Sequence, residues 1–289
     1  MERIFIVNPV AGKGKALNVS KIIEDICKEE EMDYVIHYTK GKEDATEIVK
    51  QYTNNLEETI IYSVGGDGTL NEVVNGIANS NKILGIIPAG SGNDFVRSIN
   101  PTNQKISKID IGLVNHRYFI NYASLGLDAE IAKNAELMKQ KHVPTKLIYL
   151  ASIAYTLSKY KNCQINFNNE NKEITILTLC NGRYYGNGIK MAPQAKIDDG
   201  LLDVYLIDKL NKLKIMRLLV ELLRSNHEKY ACVHKFQTDN LEISSDIPMI
   251  CGVDGETIID KEFKFSIIKQ GINLITNDHP KIMKLIQKM

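Results

Sequence analysis

The sequence predicts an α/β fold in two parts, a doubly wound parallel sheet followed by an α+β or β-rich domain. Three observations carry this. Short apolar runs alternate with segments of helical periodicity through the first hundred residues. Three of those runs end in glycine- or proline-bearing loops, "NPVAGKGK", "GGDGT" and "PAGSGND". Beyond residue 105 or so, strand-like runs take over. A length of 289 residues is enough for two cores.

The elements follow in order. "IFIV" (4–7) is a short buried strand ending at Asn8-Pro9, and Leu17, Val19, Ile22, Ile23 and Ile26 form one helical face. "YVIHY" (34–38) is the next strand, with Ala45, Ile48, Val49 and Tyr52 marking the helix after it. "TIIYSV" (59–64), a helix over 69–78 and "ILGIIP" (83–88) complete the alternation. Single helices between strands imply parallel pairing with right-handed crossovers. "IDIGLVNHRYFINYASLG" reads as two strands about a turn at Asn115-His116, followed by helices near 128–140 and 145–160. Strand-like runs then occupy 163–168, 173–181, 201–207, 233–244, 247–253, 256–260 and 262–269, with one strong helix at 211–225. "HPKIMKLIQKM" is a terminal helix. The domains are expected at 1–120 and 121–275, with 276–289 packing back on the first.

Composition sets bounds. Hydrophobic residues at 44% and charged residues at 25% describe an ordinary globular chain. Lys+Arg 36 against Asp+Glu 35 gives net +1, so there is no global pull toward nucleic acid and any anion site must be local. Cys27, Cys163, Cys180, Cys232 and Cys251 are odd in number, widely spaced and without a C-x-x-C pair, which suits reduced thiols in the cytoplasm. "MERIFIVNPVAG" lacks the apolar run of a signal peptide, and no stretch reaches the roughly 18 apolar residues of a membrane span. The histidines of "HEKYACVH" are seven apart, which does not suit zinc.

The chemistry concentrates in the loops. Ligands of doubly wound sheets bind outside the carboxyl ends of the strands, where all three loops lie. Gly65, Gly66 and Gly68 allow close backbone approach, and a helix starting at Thr69 or Leu70 offers unpaired N–H groups, so the pattern predicts a phosphate site. Asp67, an anion among those glycines, makes sense beside phosphate when a divalent cation lies between them. Read singly, Thr69-x-x-Glu72 and Ser91-x-x-Asp94 are capping boxes. "AGKGKA" lacks the spacing of a P-loop, and "GSGNDF" lacks the last glycine of G-x-G-x-x-G. Asp199-Gly200 and Asp254-Gly255 read locally as hairpin turns. Helix 209–224, "KLNKLKIMRLLVELLR", mixes cations with a broad apolar face, which fits either covering a sheet or lying on an anionic bilayer.

"VNPVAGKGK", "GGDGTLNEVVNG", "PAGSGNDF", "NYASLGLDAEI", "MAPQAKIDDGLLDV" and "VDGE", in this order, resemble the diacylglycerol kinase catalytic family, above all the small soluble bacterial diacylglycerol and lipid kinases. GGDGT alone is shared with NAD kinases; the whole series is far more specific. The resemblance implies a doubly wound, Rossmann-like α/β nucleotide-binding domain, a β-rich, β-sandwich-like lipid-substrate domain and an active site in the cleft between them. It implies an ATP- and Mg²⁺-dependent kinase that converts diacylglycerol to phosphatidic acid. Other lipid alcohols (a sphingoid base, ceramide, phosphatidylglycerol) or a non-catalytic nucleotide-binding regulator are the alternatives.

Carried over by position, Asn8, Pro9, Val10, Ala11, Gly12, Thr39, Gly65, Gly66, Asp67, Gly68, Thr69, Leu70, Asn71 and Ser91 would contact ATP. Ser91 stands where the family often has threonine. Asp67, Asp94 and Asp128 would organise catalytic Mg²⁺, Lys13, Lys15 and Arg97 would neutralise phosphate charge, and Glu256 would act as base. A structural Mg²⁺ would be held by Asp199 with the carbonyls of Lys196 and Leu201. Expected partners are ATP and the lipid, with transient contact at a membrane surface; a homodimer is compatible with the sequence.

Overall fold

The computed structural model describes the backbone of residues 1–54, 57–99, 106–140, 145–168 and 170–287. Apolar runs become the parallel strands β1 (Glu2–Val7), β2 (Tyr34–Tyr38), β3 (Thr59–Gly65) and β4 (Ile83–Pro88), in the spatial order β4-β3-β1-β2. The register aligns their carboxyl ends, Val7 opposite Val64 and Gly65 opposite Pro88. Alternation sorts the side chains between two faces. Phe5, Val7, Ile60 and Tyr62 pack under α1 (Lys15–Glu29) and α7 (Pro280–Gln287), through Val19, Ile23, Ile282 and Leu285. Ile4, Ile6 and Ile61 pack under α2 (Asp44–Thr53) and α3 (Asp67–Ile77). Each fully buried aliphatic side chain stabilises by about 1.5–3 kcal/mol, so these layers hold the strand ends rigidly. The Tyr62 hydroxyl and Arg3 guanidinium both donate to Asp278, which fixes the start of α7.

The helical face expected for the first helix is only partly right. Leu17 and Ile22 are exposed, and the buried face runs through Ala16, Val19, Ser20, Ile23, Ile26 and Cys27.

The second part is antiparallel. β5 (Ile106–Val114) and β6 (Arg117–Phe119) form the expected hairpin at Asn115, but the run then breaks at Ile120-Asn121. β7 (Tyr122–Gly126) leaves to pair with β9 (Glu170–Cys180) and β12 (Asn240–Val253), giving three strands where two were expected. β8 (Cys163–Phe167) also pairs with both β9 and β12, which folds the sheet over a core that includes Leu125, Ile165, Leu179, Val204, Phe263 and Phe265. This is the β-sandwich-like layer. The run 233–244 divides at Asp239 into β11 (Val233–Thr238) and the start of β12, with β10 (Leu202–Asp208) between β9 and β11. The runs 256–260 and 262–269 are one strand, β13 (Glu256–Ile275). β13 pairs with β12 at one end and runs parallel to β4 at the other, so the two parts share one continuous 13-stranded sheet. Helices α4 (Leu127–Gln140), α5 (Thr145–Lys159) and α6 (Lys212–Leu223) cover this sheet from outside, meeting over Leu127, Ile131, Leu157, Ile215 and Leu218. No described helix is long and apolar enough to cross a membrane.

Candidate active site

The three loops converge as the strand order demands. The Ala89 and Gly90 N–H groups donate to Gly65 O at 2.7 and 2.9 Å, and Asn8 N–H donates to Val64 O at 3.1 Å. The backbones then approach too closely for side chains. A Cβ on Gly90 would lie 2.3 Å from Gly66 Cα, and one on Gly12 would lie 2.2 Å from Ala89 O. Gly12, Lys13 and Gly14 turn with positive φ (58°, 59° and 88°), a conformation whose successive N–H groups make an anion-binding concavity. Gly90→Ala is therefore expected to destabilise the fold and weaken nucleotide binding together, because backbone rather than a movable side chain blocks the methyl. Melting curves and ATP titration of that variant check this; an unchanged melting temperature contradicts it.

α3 begins at Asp67, two residues before the expected start, with Gly66 as its N-cap and no side chain capping it. Its first N–H groups therefore stay available to a ligand. The two expected capping boxes do not form. Thr69 Oγ1 instead accepts from Asn8 Nδ2 at 3.1 Å, Glu72 Oε2 accepts from Ala45 N–H at 3.2 Å, and Asp94 precedes a short 3₁₀ turn (Phe95–Ser98) without a side-chain cap.

Asp67, half-buried, and Asp94, buried, form an acidic pair. Asp67 Oδ1 accepts from Asp94 N–H at 2.7 Å, and Asp94 Oδ2 accepts from Asn187 N–H at 2.8 Å. A Cβ placed on Gly92 would sit 2.8 Å from Asp67 Oδ2, 3.7 Å from Asn187 Oδ1 and 3.9 Å from Asp94 Oδ2, so three oxygens face one point. Asp94 Oδ1 is buried without a hydrogen-bond partner, with Arg97 Nη1 3.9 Å away. Burial, then the charge of Asp94, raises the Asp67 carboxyl above the usual range. Asp128 is buried and hydrogen-bonds Tyr185. It accepts from Ser124 Oγ at 2.8 Å at the start of α4, and burial pushes it up to about 6.

Glu256 occupies a second corner, on the far side of the tight turn Asp254-Gly255 (φ 49° and 91°), which is the hairpin turn the dipeptide predicts. Its Oε2 meets Arg117 Nη2 at 2.7 Å and Lys42 Nζ at 3.5 Å. Arg117 Nη2 also donates to Asn71 Oδ1 at 3.0 Å, and Asn71 Nδ2 donates to Asp254 Oδ2 at 2.9 Å. Asp254 in turn accepts from the N–H groups of Ile120, Asn121 and Tyr122 at 2.7, 3.0 and 2.9 Å. Burial pushes its carboxyl up to about 6 against the pull of these four donors, which leaves it ionised at neutral pH. One hydrogen-bonded chain thus runs from α3, in the glycine-loop unit, to the turn that carries Glu256.

Residues 2–117 match the diacylglycerol kinase catalytic domain, and residues 121–276 match the YegS C-terminal NAD kinase beta sandwich-like domain. A diacylglycerol kinase of Staphylococcus carnosus is 30% identical over 303 residues, covering 98% of each chain. The chain belongs to the diacylglycerol kinase family of lipid kinases. Similar proteins include the diacylglycerol kinase of Bacillus subtilis, 28% identical over 87% of this chain and 88% of that one. A YegS-like lipid kinase of Shewanella frigidimarina is 29% identical over 79% of both. A Bacillus anthracis crystal structure named for a diacylglycerol kinase shares the fold, with TM-score 0.73 at 23% identity, over 97% of this chain and 96% of that one.

In this lipid kinase the other expected site residues are distributed as follows. Lys13, Lys15 and Ser91 are exposed at the rim of the loops, Thr39 is buried with its N–H on Val7 O, and Asn71 is fully buried and engaged as above. In the loop expected to hold structural metal, Asp199 Oδ1 accepts from Leu201 N–H at 3.1 Å, and Lys196 and Asp199 are exposed. Among the described residues, no group of three or more His, Cys, Asp or Glu side chains could hold a metal ion.

Sequence reasoning missed Arg117, Asp254, Asn187 and Asp110. Asp110 anchors the metal-candidate loop, accepting from Gly200 and Gln270 N–H groups at 2.6 and 2.7 Å. For Asn187 a signal exists: "YGNGI" puts Gly186, Asn187 and Gly188 at positive φ, a sharp loop that reaches from the second part to Asp94.

Proposed function

We propose that this lipid kinase transfers the γ-phosphoryl group of ATP to the free hydroxyl of diacylglycerol, giving phosphatidic acid and ADP. The observation that carries the reading is the chain from Asn71 through Arg117 to Glu256, which ties a candidate base to the helix whose N-terminus faces the phosphate loops. ATP phosphates would rest on the N–H groups of the loops at Gly12–Gly14 and Gly66–Thr69, with Lys13, Lys15 and Arg97 at the rim.

The donor set fits Mg²⁺. Asp67 and Asp94 offer hard anionic oxygens, one of them buried without a partner, in a place where unshielded carboxylates would repel phosphate. When bound there, the ion would offset charge on the β- and γ-phosphates. Asp128, ionised above about pH 6, would act on the same ion through water. For the structural ion, Asp199 and the carbonyls of Lys196 and Leu201 would be the ligands. Asp110 would support that loop, its two oxygens accepting the Gly200 and Gln270 N–H groups.

In the transfer, Glu256 takes the hydroxyl proton while the lipid oxygen bonds to the γ-phosphorus and the bond from phosphorus to the bridging oxygen of ADP breaks. Arg117 and Lys42 hold the carboxylate in one orientation. The transition state is loose, so positioning matters more than base strength. Labelled ATP with diacylglycerol, a sphingoid base, ceramide and phosphatidylglycerol in mixed micelles tests the assignment. Label is expected on diacylglycerol. Label only on another alcohol moves the substrate, and nucleotide binding without transfer to any lipid overturns the catalytic reading. Glu256→Gln is expected to lower kcat about 10²–10⁴-fold with little change in KM for ATP.

A further inference from the structure

We infer that the outer face of α6 is a docking surface for an anionic lipid bilayer, an inference that rests on the lipid-kinase reading for its purpose but not for its geometry. The inner face of α6 is satisfied: Ile215, Leu218 and Leu222 are buried over α4, α5 and the sheet. The outer face is not. Leu213 is 83% exposed, Leu223 70%, Met216 52% and Val220 46%. On no other helix or strand are more than two large hydrophobic side chains exposed, among the described residues. Spacings of three, four and three residues place all four within an arc of about 80° at 100° per residue, a second apolar stripe distinct from the buried one.

The rim of that stripe is cationic. By the same geometry Arg217 and Arg224 flank it on one side and Lys212 on the other, while Lys209 and Lys214 lie at the N-terminal end. Residues 209–224 carry five cations and one carboxylate, Glu221, in a chain whose net charge is only +1. Glu221 is held by Arg224 at 3.5 Å. The helix is braced against rocking: Lys212 Nζ donates to Ser158 O at 2.9 Å, Lys209 pairs with Glu173 at 2.7 Å, and Arg217 stacks over Tyr230 at 5.8 Å.

This chemistry fits a bilayer better than a second copy of the chain. Two such faces pressed together would oppose their cationic rims, and four side chains fall well short of the roughly 800 Å² per partner of a stable protein interface. An interfacial helix needs only apolar side chains at acyl depth and cations at the level of the phosphates, each adding about 1 kcal/mol near an anionic leaflet. The expectation that this helix covers a sheet holds for its inner face, and the inference assigns the other expectation, a bilayer, to its outer face.

The full chain is floated, without nucleotide, on vesicles of phosphatidylcholine alone and of phosphatidylcholine with about one third phosphatidylglycerol. Wild type is expected to float with the anionic vesicles and to stay largely free with the neutral ones. Leu213→Ser with Leu223→Ser should lower binding about tenfold, and Arg217→Gln with Arg224→Gln should abolish the preference for anionic lipid. Wild-type flotation by both double variants overturns the inference. So does a wild-type dimer in gel filtration that Leu213→Ser with Leu223→Ser makes monomeric. Transfer to a water-soluble short-chain diacylglycerol separates the two claims, because it needs no bilayer. The double variants should keep that rate while losing rate on vesicle-borne lipid. Flotation by a wild type that phosphorylates no lipid leaves the docking face standing and removes the kinase assignment instead.

Discussion

Asp67→Asn is expected to lower kcat about a thousandfold while leaving the apo fold as stable as before, or more so. The sign of the stability change follows from the site. The Asp67 carboxyl is raised by burial and by Asp94. A carboxyl whose folded value lies above its unfolded value costs the fold stability at every pH above that range, since ionisation is easier in the unfolded chain. Asparagine keeps the Oδ1 acceptor for Asp94 N–H and replaces the second charged oxygen with a donor, relieving the repulsion. On the proposed mechanism the turnover loss would arise because the oxygen pair near Gly92 would no longer carry the charge needed to hold a divalent cation against phosphate. Thermal melting and steady-state kinetics on the same preparation decide it. Turnover within tenfold of wild type, or a large fall in melting temperature, would show that Asp67 is a structural residue.

Asp254→Ala should be the most damaging single change for the fold. It leaves the N–H groups of Ile120, Asn121 and Tyr122 without their side-chain acceptor in a fully buried place and takes one of the two acceptors of the Asn71 amide, which keeps Tyr118 O. Unsatisfied buried donors cost about 1–3 kcal/mol each, and local relaxation recovers part, so about 3–5 kcal/mol is expected. For a chain of this size that corresponds to a fall of about 10 °C in melting temperature. Catalysis should fail even where the variant stays folded, because the turn that presents Glu256 loses its anchor on α3. Adding Glu256→Gln to Asp254→Ala should then lower kcat little further, since both changes disable one group. A melting temperature within a degree or two of wild type contradicts the account.

The first part of the fold was legible because its signals are local. Four apolar runs, three loops with glycine or proline, and helical spacing between them specify a parallel sheet and the edge where ligands meet it. The pair Asp67 and Asp94 was legible for the same reason, since each sits in a loop whose place is set by its own strand. Asp254 was legible only as a turn. Its donors lie more than 130 positions earlier, and an Asp-Gly pair looks the same whether its carboxylate faces water or three backbone N–H groups. Arg117, next to the Asn115-His116 turn, reads as an ordinary surface cation until β13 brings Glu256 beside it. The second helical face of α6 was readable as apolar, but which half would be covered depended on α4 and α5. The break at Ile120-Asn121 had no local mark either: those residues leave the hairpin because Asp254 binds their N–H groups.

β13 carries a mechanical consequence. A single strand of 20 residues is stitched to β12 near Glu256 and to β5 and β4 at its other end, with its register shifting opposite Ser244–Met249 and again where Gln270 turns to φ 52° and donates to Asp110. The halves of the molecule are therefore joined by a girder rather than by a tether. Any motion of one half against the other must bend or twist that girder, because it is hydrogen-bonded into both.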